Sequence, residues 1–165
     1  MTQGSSSVPA VQRLLATLAS TRRAGRIAEV GTAFGDGARA IAGVLGPGVT
    51  FVTVESDPAR AAAARPALAG LPVELVVGRW QDVLPARDPF DLLFFDAPAD
   101  AAALVQAIEL LAPGGMLIKD DLTPGLPVDG DPVRQILLRD PRLVATEIQV
   151  STEMAVILAT RRTPA

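Results

Sequence analysis

The sequence predicts an α/β fold: a doubly wound, mostly parallel sheet of seven strands that ends in a C-terminal antiparallel hairpin. Three observations carry this. Apolar runs of strand length alternate with helical stretches, the order that parallel strands joined by right-handed crossovers require. The run "FDLLFF" is almost wholly apolar, as suits a strand covered on both faces. The last two apolar runs, "RLVATEIQV" and "MAVILAT", are separated only by "STE", which leaves no room for a helix and implies antiparallel pairing.

Each element has a local reason. "VQRLLATLASTRR" places Val11, Leu14, Leu15 and Leu18 at helical spacing, with one face to bury. Arg22, Arg23 and Arg26 then suit the negative end of that helix's dipole. "RIAEV" reads as a short buried strand, followed by the glycine-rich turn "GTAFGDG" and a helix, "ARAIAGVL", that stops at "GPG". "VTFVTVE" is β-branched and ends in an acid. "DPARAAAARPALAG" is a helix with Asp57 as N-cap and Pro58 in the first turn, which Pro66 should kink or shorten. "VELVV" is the third strand and "GRWQDVLPARDP" a connection with one helical turn. After "FDLLFF" comes the helix "ADAAALVQAIELLAPGG", stopped by glycine, and then the strand "MLIK". "DDLTPGLPVDG" reads as a loop and "DPVRQILLRD" as a helix. Residues 1–7 read as a flexible tail and 8–165 as a single domain.

Composition narrows the chemistry. At 165 residues and 49% hydrophobic, the chain suits one domain with a real core. No apolar run is long enough to span a bilayer, and "MTQGSSSVPA" lacks the pattern of a signal peptide, so a cytoplasmic protein is expected. There is no His, Cys or Tyr, which excludes a Ser-His-Asp triad, a cysteine nucleophile and zinc sites built from Cys or His. Proton transfer is left to Asp, Glu, Lys, water or substrate, and a protein-bound metal must accept oxygen ligands. The net charge of -3 argues against nucleic acid as a partner.

In open α/β sheets, ligands sit beyond the carboxyl ends of the strands. "EVGTAFGDG" lies there, with Glu29 two residues before Gly31, then Gly35 and Gly37. Glycines let backbone approach a ligand and expose N–H groups. Glu55 ends the second strand, where a carboxylate can accept two ribose hydroxyl hydrogens. Trp80 and Gln81 follow the third strand, where a flat ring and an amide can meet a nucleobase; an aromatic plug between loop and helix is the plainer alternative. These features point to a nucleoside-bearing ligand.

The ordered set "EVGTAFGDGARAIA", "VTVESDPARAAAAR", "GRWQDVLP", "PFDLLFFDAP", "LLAPGGMLIKDDLTPG" and "DPVRQILLRDPRL" resembles the class I S-adenosylmethionine-dependent methyltransferases. The resemblance is to the catechol and caffeoyl-CoA O-methyltransferase group, more closely its small bacterial relatives, and it runs from Arg26 to the end. It implies a cofactor, S-adenosylmethionine, whose methionine part is held by Glu29 and the turn Gly31, Thr32, Ala33, Phe34, Gly35 and Gly37. Glu55 would hold the ribose, Trp80 and Gln81 the adenine side, and Ser56 would also touch the cofactor. Asp96 would sit near the sulfonium and, with Asp120 and Asp121, bind a divalent metal, Mg²⁺ or else Ca²⁺ or Mn²⁺. The acceptor implied is a small hydroxylated molecule.

Three departures accompany the resemblance. The lysine that the family usually carries three residues after the strand-four aspartate is Ala99 here. Asp121 stands where the family has Asn, which leaves three carboxylates around one cation. Only 25 residues precede the first strand, so a more open site, or one closed by a partner copy in a homodimer, is expected. Lys119, the chain's one lysine, alternates with Asp120 and is expected to face away, its ammonium snorkelling out. A strand break at Lys119 is the alternative. Two other functions stay open from sequence: a non-catalytic S-adenosylmethionine-binding domain, and a nicotinamide-dependent oxidoreductase, which the glycine spacing disfavours.

Overall fold

Gly25–Val30 (β1) pairs in parallel with Val49–Glu55 (β2) on one side and Phe90–Phe95 (β4) on the other. The structure, a computed structural model, describes residues 7–163. Glu74–Val77 (β3), Leu111–Leu122 (β5), Leu143–Gln149 (β6) and Ala155–Arg161 (β7) complete one sheet in the order β3-β2-β1-β4-β5-β7-β6. β7 alone runs opposite to the other six strands. The chain leaves β1 toward β2 on one side while β4 lies on the other, so a crevice opens above the carboxyl ends of β1 and β4.

β4 shows why the sheet is covered twice. Leu92 and Phe94 join the core with helices Pro9–Ser20 (α1), Asp36–Ala42 (α2) and Pro58–Leu68 (α3). Leu93 and Phe95 point the other way, toward Ala101–Glu109 (α5) and Pro132–Arg139 (α6). All four are fully buried, each contributing on the order of 2 kcal/mol by leaving water. Trp80–Val83 (α4) and a 3₁₀ turn, Leu84–Ala86, form the short link after β3.

Carboxylates start three helices. Asp57 accepts from the Ala59 and Arg60 amides, Asp100 from Ala103, and Asp131 from Val133 and Arg134. Pro66 stays inside the last turn of α3, which ends at Leu68. α2 stops at Gly43, before "GPG".

Three expectations need correction. Of the three arginines set at the end of α1, Arg22 does follow the C-cap Thr21, its amide donating to Ala19 O, but Arg26 lies in β1 and donates to the carbonyls of Arg87 and Asp88. α5 ends at Glu109, and "LAPGG" is extended. Phe90 pairs with Leu111, and a Cβ on Gly115 would fall 2.5 Å from the Phe90 carbonyl oxygen, so this glycine serves close strand approach and a register shift rather than a helix stop. Asp120 and Asp121 belong to the end of β5, not to a loop. Residues 1–6 of the expected tail lie outside the described residues; Ser7, its last residue, is buried, and its hydroxyl donates to Asp96 Oδ2 at 3.3 Å.

Candidate active site

The ends of β1 to β4 are joined by backbone bonds one residue beyond their pairing: Gly31 donates to Val54 O, Gly78 to Glu55 O and Asp96 to Val30 O, at 2.8–2.9 Å. Gly31 has φ +91, and a Cβ there would stand 1.9 Å from the Asp96 carbonyl oxygen, so no side chain fits. Ala33 also adopts a left-handed conformation, φ 47. The buried Glu55 holds it: Oε2 accepts from the Ala33 amide and Oε1 from the Asp57 amide, both at 2.9 Å. Above these groups lies a cavity of about 330 Å³. Gly31, Ala33, Glu55, Ser56, Trp80 and Gln81 line it, and Asp96 closes its far side. Trp80 is set by an edge-to-face contact with Phe95, centroids 5.4 Å apart.

Behind the turn runs a buried hydroxyl chain. Thr53 donates its one hydroxyl hydrogen to Glu29 Oε2, so the hydrogen in the 2.6 Å Thr32–Thr53 contact comes from Thr32. The chain points from the turn to Glu29. Burial raises the Glu29 pKa well above its ordinary value; the Thr53 hydrogen bond opposes this, and Asp96, Asp120 and Glu55 add to it. Gly37 must be glycine here, since a Cβ would lie 2.4 Å from Glu29 Oε1.

The ends of β4 and β5 carry a different cluster. Asp96, Asp120 and Asp121 each offer a carboxylate oxygen, and these lie within 4.8 Å of one another. A register shift against β7 between Lys119 and Leu122, with Asp121 at φ 58, turns both β5 carboxylates toward Asp96. Asp120 is 1% exposed, and its Oδ1 has no hydrogen-bond partner. Burial first, then the neighbouring carboxylates, pushes Asp120 up to about 8; burial and Asp121 push Asp96 up to about 6. An orphaned buried oxygen within a set of all-oxygen donors fits a hard divalent cation held by these three residues.

Lys119 does not snorkel out. It is 5% exposed, its ammonium donates to the Asp120 carbonyl at 2.8 Å and stands 3.9 Å from Asp120 Oδ1. Lys119 stays in register with Phe95 and Ile157, so it keeps the α5–α6 side that alternation gives it, and its ammonium reaches the Asp120 carbonyl from there. Ala99 packs on the α5–α6 side of the core.

The sequence-predicted residues thus divide. Gly31, Ala33, Glu55, Ser56, Trp80, Gln81 and Asp96 line one cavity; Glu29, Thr32, Phe34, Gly35 and Gly37 do not. Glu29, Thr32 and Gly37 support the turn from behind, and Phe34 is 44% exposed. Arg60, Arg79, Gly78, Ala97 and Pro98 also line the cavity. Gly78, Ala97 and Pro98 were findable, since each lies within three residues of a predicted strand end. Another cavity, about 340 Å³, opens at the amino-terminal end of the sheet between Arg26, Thr50, Glu74 and Arg87. Arg87 and Glu74 pair with each other there, and it lies away from the strand ends where α/β sheets bind ligands.

Comparison with known proteins agrees with this geometry. A methyltransferase domain family matches residues 28–122. The catechol O-methyltransferase of Mycobacterium tuberculosis is 36% identical over 155 residues, covering 83% of this chain and 70% of that one. Further mycobacterial relatives match at 36–37% identity, and the chain spans about half of their length, 53–54%. The O-methyltransferase TomG of Streptomyces achromogenes, solved with S-adenosylmethionine, superposes with a TM-score of 0.76 at 31% identity, over 96% of this chain and 82% of that one. The Bacillus cereus O-methyltransferase, solved with S-adenosylhomocysteine, gives 0.80 at 26%, over 96% and 84%. The chain belongs to this methyltransferase family, among the class I S-adenosylmethionine-dependent O-methyltransferases.

Proposed function

We propose that this S-adenosylmethionine-dependent O-methyltransferase methylates a small acceptor whose hydroxyl stands beside a second oxygen, with a divalent cation held by Asp96, Asp120 and Asp121. The observation that carries this reading is that Asp96 belongs to both halves of the site: it lines the nucleoside cavity and it is one of the three clustered carboxylates. Donor and acceptor would therefore meet at one residue. A catechol O-methyltransferase among the relatives supports an acceptor with two adjacent oxygens, which is also what a hard cation accepts as ligands.

In this reading Glu55, already oriented by two backbone amides, receives the ribose hydroxyls. Trp80 and Gln81 flank the adenine, and the backbone of Gly31 and Ala33 guides the methionine limb toward Asp96. Transfer breaks the sulfur–methyl bond as the oxygen–methyl bond forms, releasing S-adenosylhomocysteine and one proton. The bound cation would lower the pKa of the acceptor hydroxyl. The raised proton affinities of Asp96 and Asp120 belong to the cluster without its cation; with the cation held there, the acceptor proton would pass to water. Catalysis is then mainly the holding of oxygen and methyl group in line. The same reading takes the enzyme as cytoplasmic, with no nucleic-acid partner, which the net charge of -3 supports. Among the described residues no helix is long and apolar enough to cross a membrane.

Titration calorimetry with S-adenosylmethionine, and methyl transfer to catechol with Mg²⁺ or with EDTA, test the reading. Binding and EDTA-sensitive transfer are expected. Absence of S-adenosylmethionine binding would sink it, and transfer that survives full chelation would remove the cation from it.

A further inference from the structure

A second polar constellation lies behind the cluster, at the loop that follows β5. Arg134, in the first turn of α6, is 1% exposed, and four of its five N–H groups are engaged. Nε and Nη2 form a fork on Glu147 of β6, at 2.7 and 3.0 Å. Nη2 also donates to the Thr123 carbonyl at 2.7 Å, and Nη1 donates to Asp131 Oδ2. One guanidinium therefore grips both feet of the loop between Thr123 and Asp131 and ties them to the edge strand.

What lies between the feet is held differently. Asp131 donates back to the Val128 carbonyl at 3.3 Å, and Asp129 pairs with Arg139 at 2.7 Å. Among the described residues, no hydrogen bond reaches 124–127, the sequence Pro-Gly-Leu-Pro. Two prolines restrict this tip, Gly125 turns it at φ +76 with open space where a Cβ would stand, and Leu126 is 51% exposed at its centre. The first foot begins two residues after Asp121, so the tip adjoins the proposed acceptor subsite in the chain.

We infer that Arg134 is a positioning residue of the methyl transfer: its guanidinium sets the loop 124–130, and with it the apolar side chain of Leu126, against the acceptor. The inference rests on the proposed acceptor subsite. Its physical basis is that a buried ion pair contributes little net stability against an apolar replacement, so five-donor fork geometry at this spot is better explained by what it orients. A lysine keeps the charge and loses the fork, which makes Arg134→Lys the informative variant.

The experiment is hydrogen exchange by mass spectrometry on full-length wild type, Arg134→Lys and Glu147→Gln, with S-adenosylmethionine titration and catechol kinetics on the same preparations. In both variants, exchange at the second foot of the loop, where the amides of Asp131, Val133, Arg134 and Gln135 are hydrogen-bonded, is expected to rise about tenfold while β1 to β4 stay protected. S-adenosylmethionine affinity should hold within about twofold, and the KM for catechol should rise about tenfold with kcat falling less. Unchanged loop exchange in both variants overturns the inference, as does exchange that rises throughout the chain together with loss of S-adenosylmethionine affinity. If Arg134→Lys does not fold, Glu147→Gln carries the test, since it preserves shape. Should wild type bind no S-adenosylmethionine, the functional reading fails, while the exchange comparison still decides whether Arg134 holds the loop.

Discussion

The two halves of the strand-end edge are built on opposite terms. On the β1–β2 side every charged or hydroxyl group behind the turn has a partner: Glu55 accepts two amides, and Thr32, Thr53 and Glu29 form a directed chain. On the β4–β5 side three carboxylates crowd together, one buried oxygen has no partner, and the nearest cation is 3.9 Å away. The satisfied half is preorganised, so a nucleoside meets donors and acceptors already in place. The unsatisfied half carries electrostatic strain that only protons or a cation relieve. Asp96, shared by both, couples them.

The largest expected effect comes from removing that shared residue. Asp96→Ala should lower methyl transfer on the order of a thousandfold and also weaken S-adenosylmethionine binding, read by steady-state assay and calorimetry. If binding holds while transfer falls, Asp96 serves the acceptor half alone.

Glu55→Ala should separate the halves from the other side. We expect S-adenosylmethionine affinity to drop about fiftyfold, from losing a charge-assisted bidentate partner, with Mn²⁺ affinity measured by titration unchanged. Equal loss of both would mean that the two halves are one cooperative unit.

The strain of the carboxylate half has a sign. Asp96 and Asp120 are raised from an ordinary 3.8 to about 6 and about 8, so they bind protons more tightly folded than unfolded. The stability they contribute is full below pH 3.8 and is lost as pH rises through about 6 and then about 8. The metal-free protein should therefore melt several degrees lower at pH 9 than at pH 5, by calorimetry, with Mg²⁺ restoring part of the loss. Asp120→Asn should flatten this dependence. A melting temperature insensitive to Mg²⁺ at pH 9 would argue that the cluster is relieved another way, with Lys119 the nearest candidate.

The smallest effect belongs to the satisfied half. Thr53→Val keeps shape but breaks the hydroxyl chain, and should cost about 1–2 kcal/mol of stability by denaturant unfolding. It should also loosen S-adenosylmethionine binding a few-fold through the turn, leaving metal affinity alone. No change would mean that Thr32 is held well enough by backbone.

Local patterns were most legible where one residue's chemistry is enough. Asp57 read as a helix cap because its neighbour, Pro58, begins a helix. Glu55 and Trp80 read as ligand-facing because strand ends are where α/β sheets bind. "LAPGG" was misread because glycine permits both a helix stop and close strand approach, and only the partner, Phe90, decides between them. Thr53 and Arg134 went unnoticed: a threonine in a strand and an arginine in a helix are ordinary until Glu29 and Glu147 arrive from elsewhere in the chain.

By itself the sequence determined the order of elements, the parallel sheet with its final hairpin, the family, and the absence of any imidazole or thiol chemistry. The element order and the excluded chemistry follow from periodicity, turn residues and composition, all local properties of the chain, while the family came from the resemblance of the ordered motifs. The tertiary structure alone decided that Asp120 and Asp121 continue a strand, that Lys119 is buried at the strand end instead of snorkelling out, and that Asp96 joins two subsites. Those outcomes depend on register between β4, β5 and β7, and register is set by which distant strands lie alongside, not by any one strand's own residues.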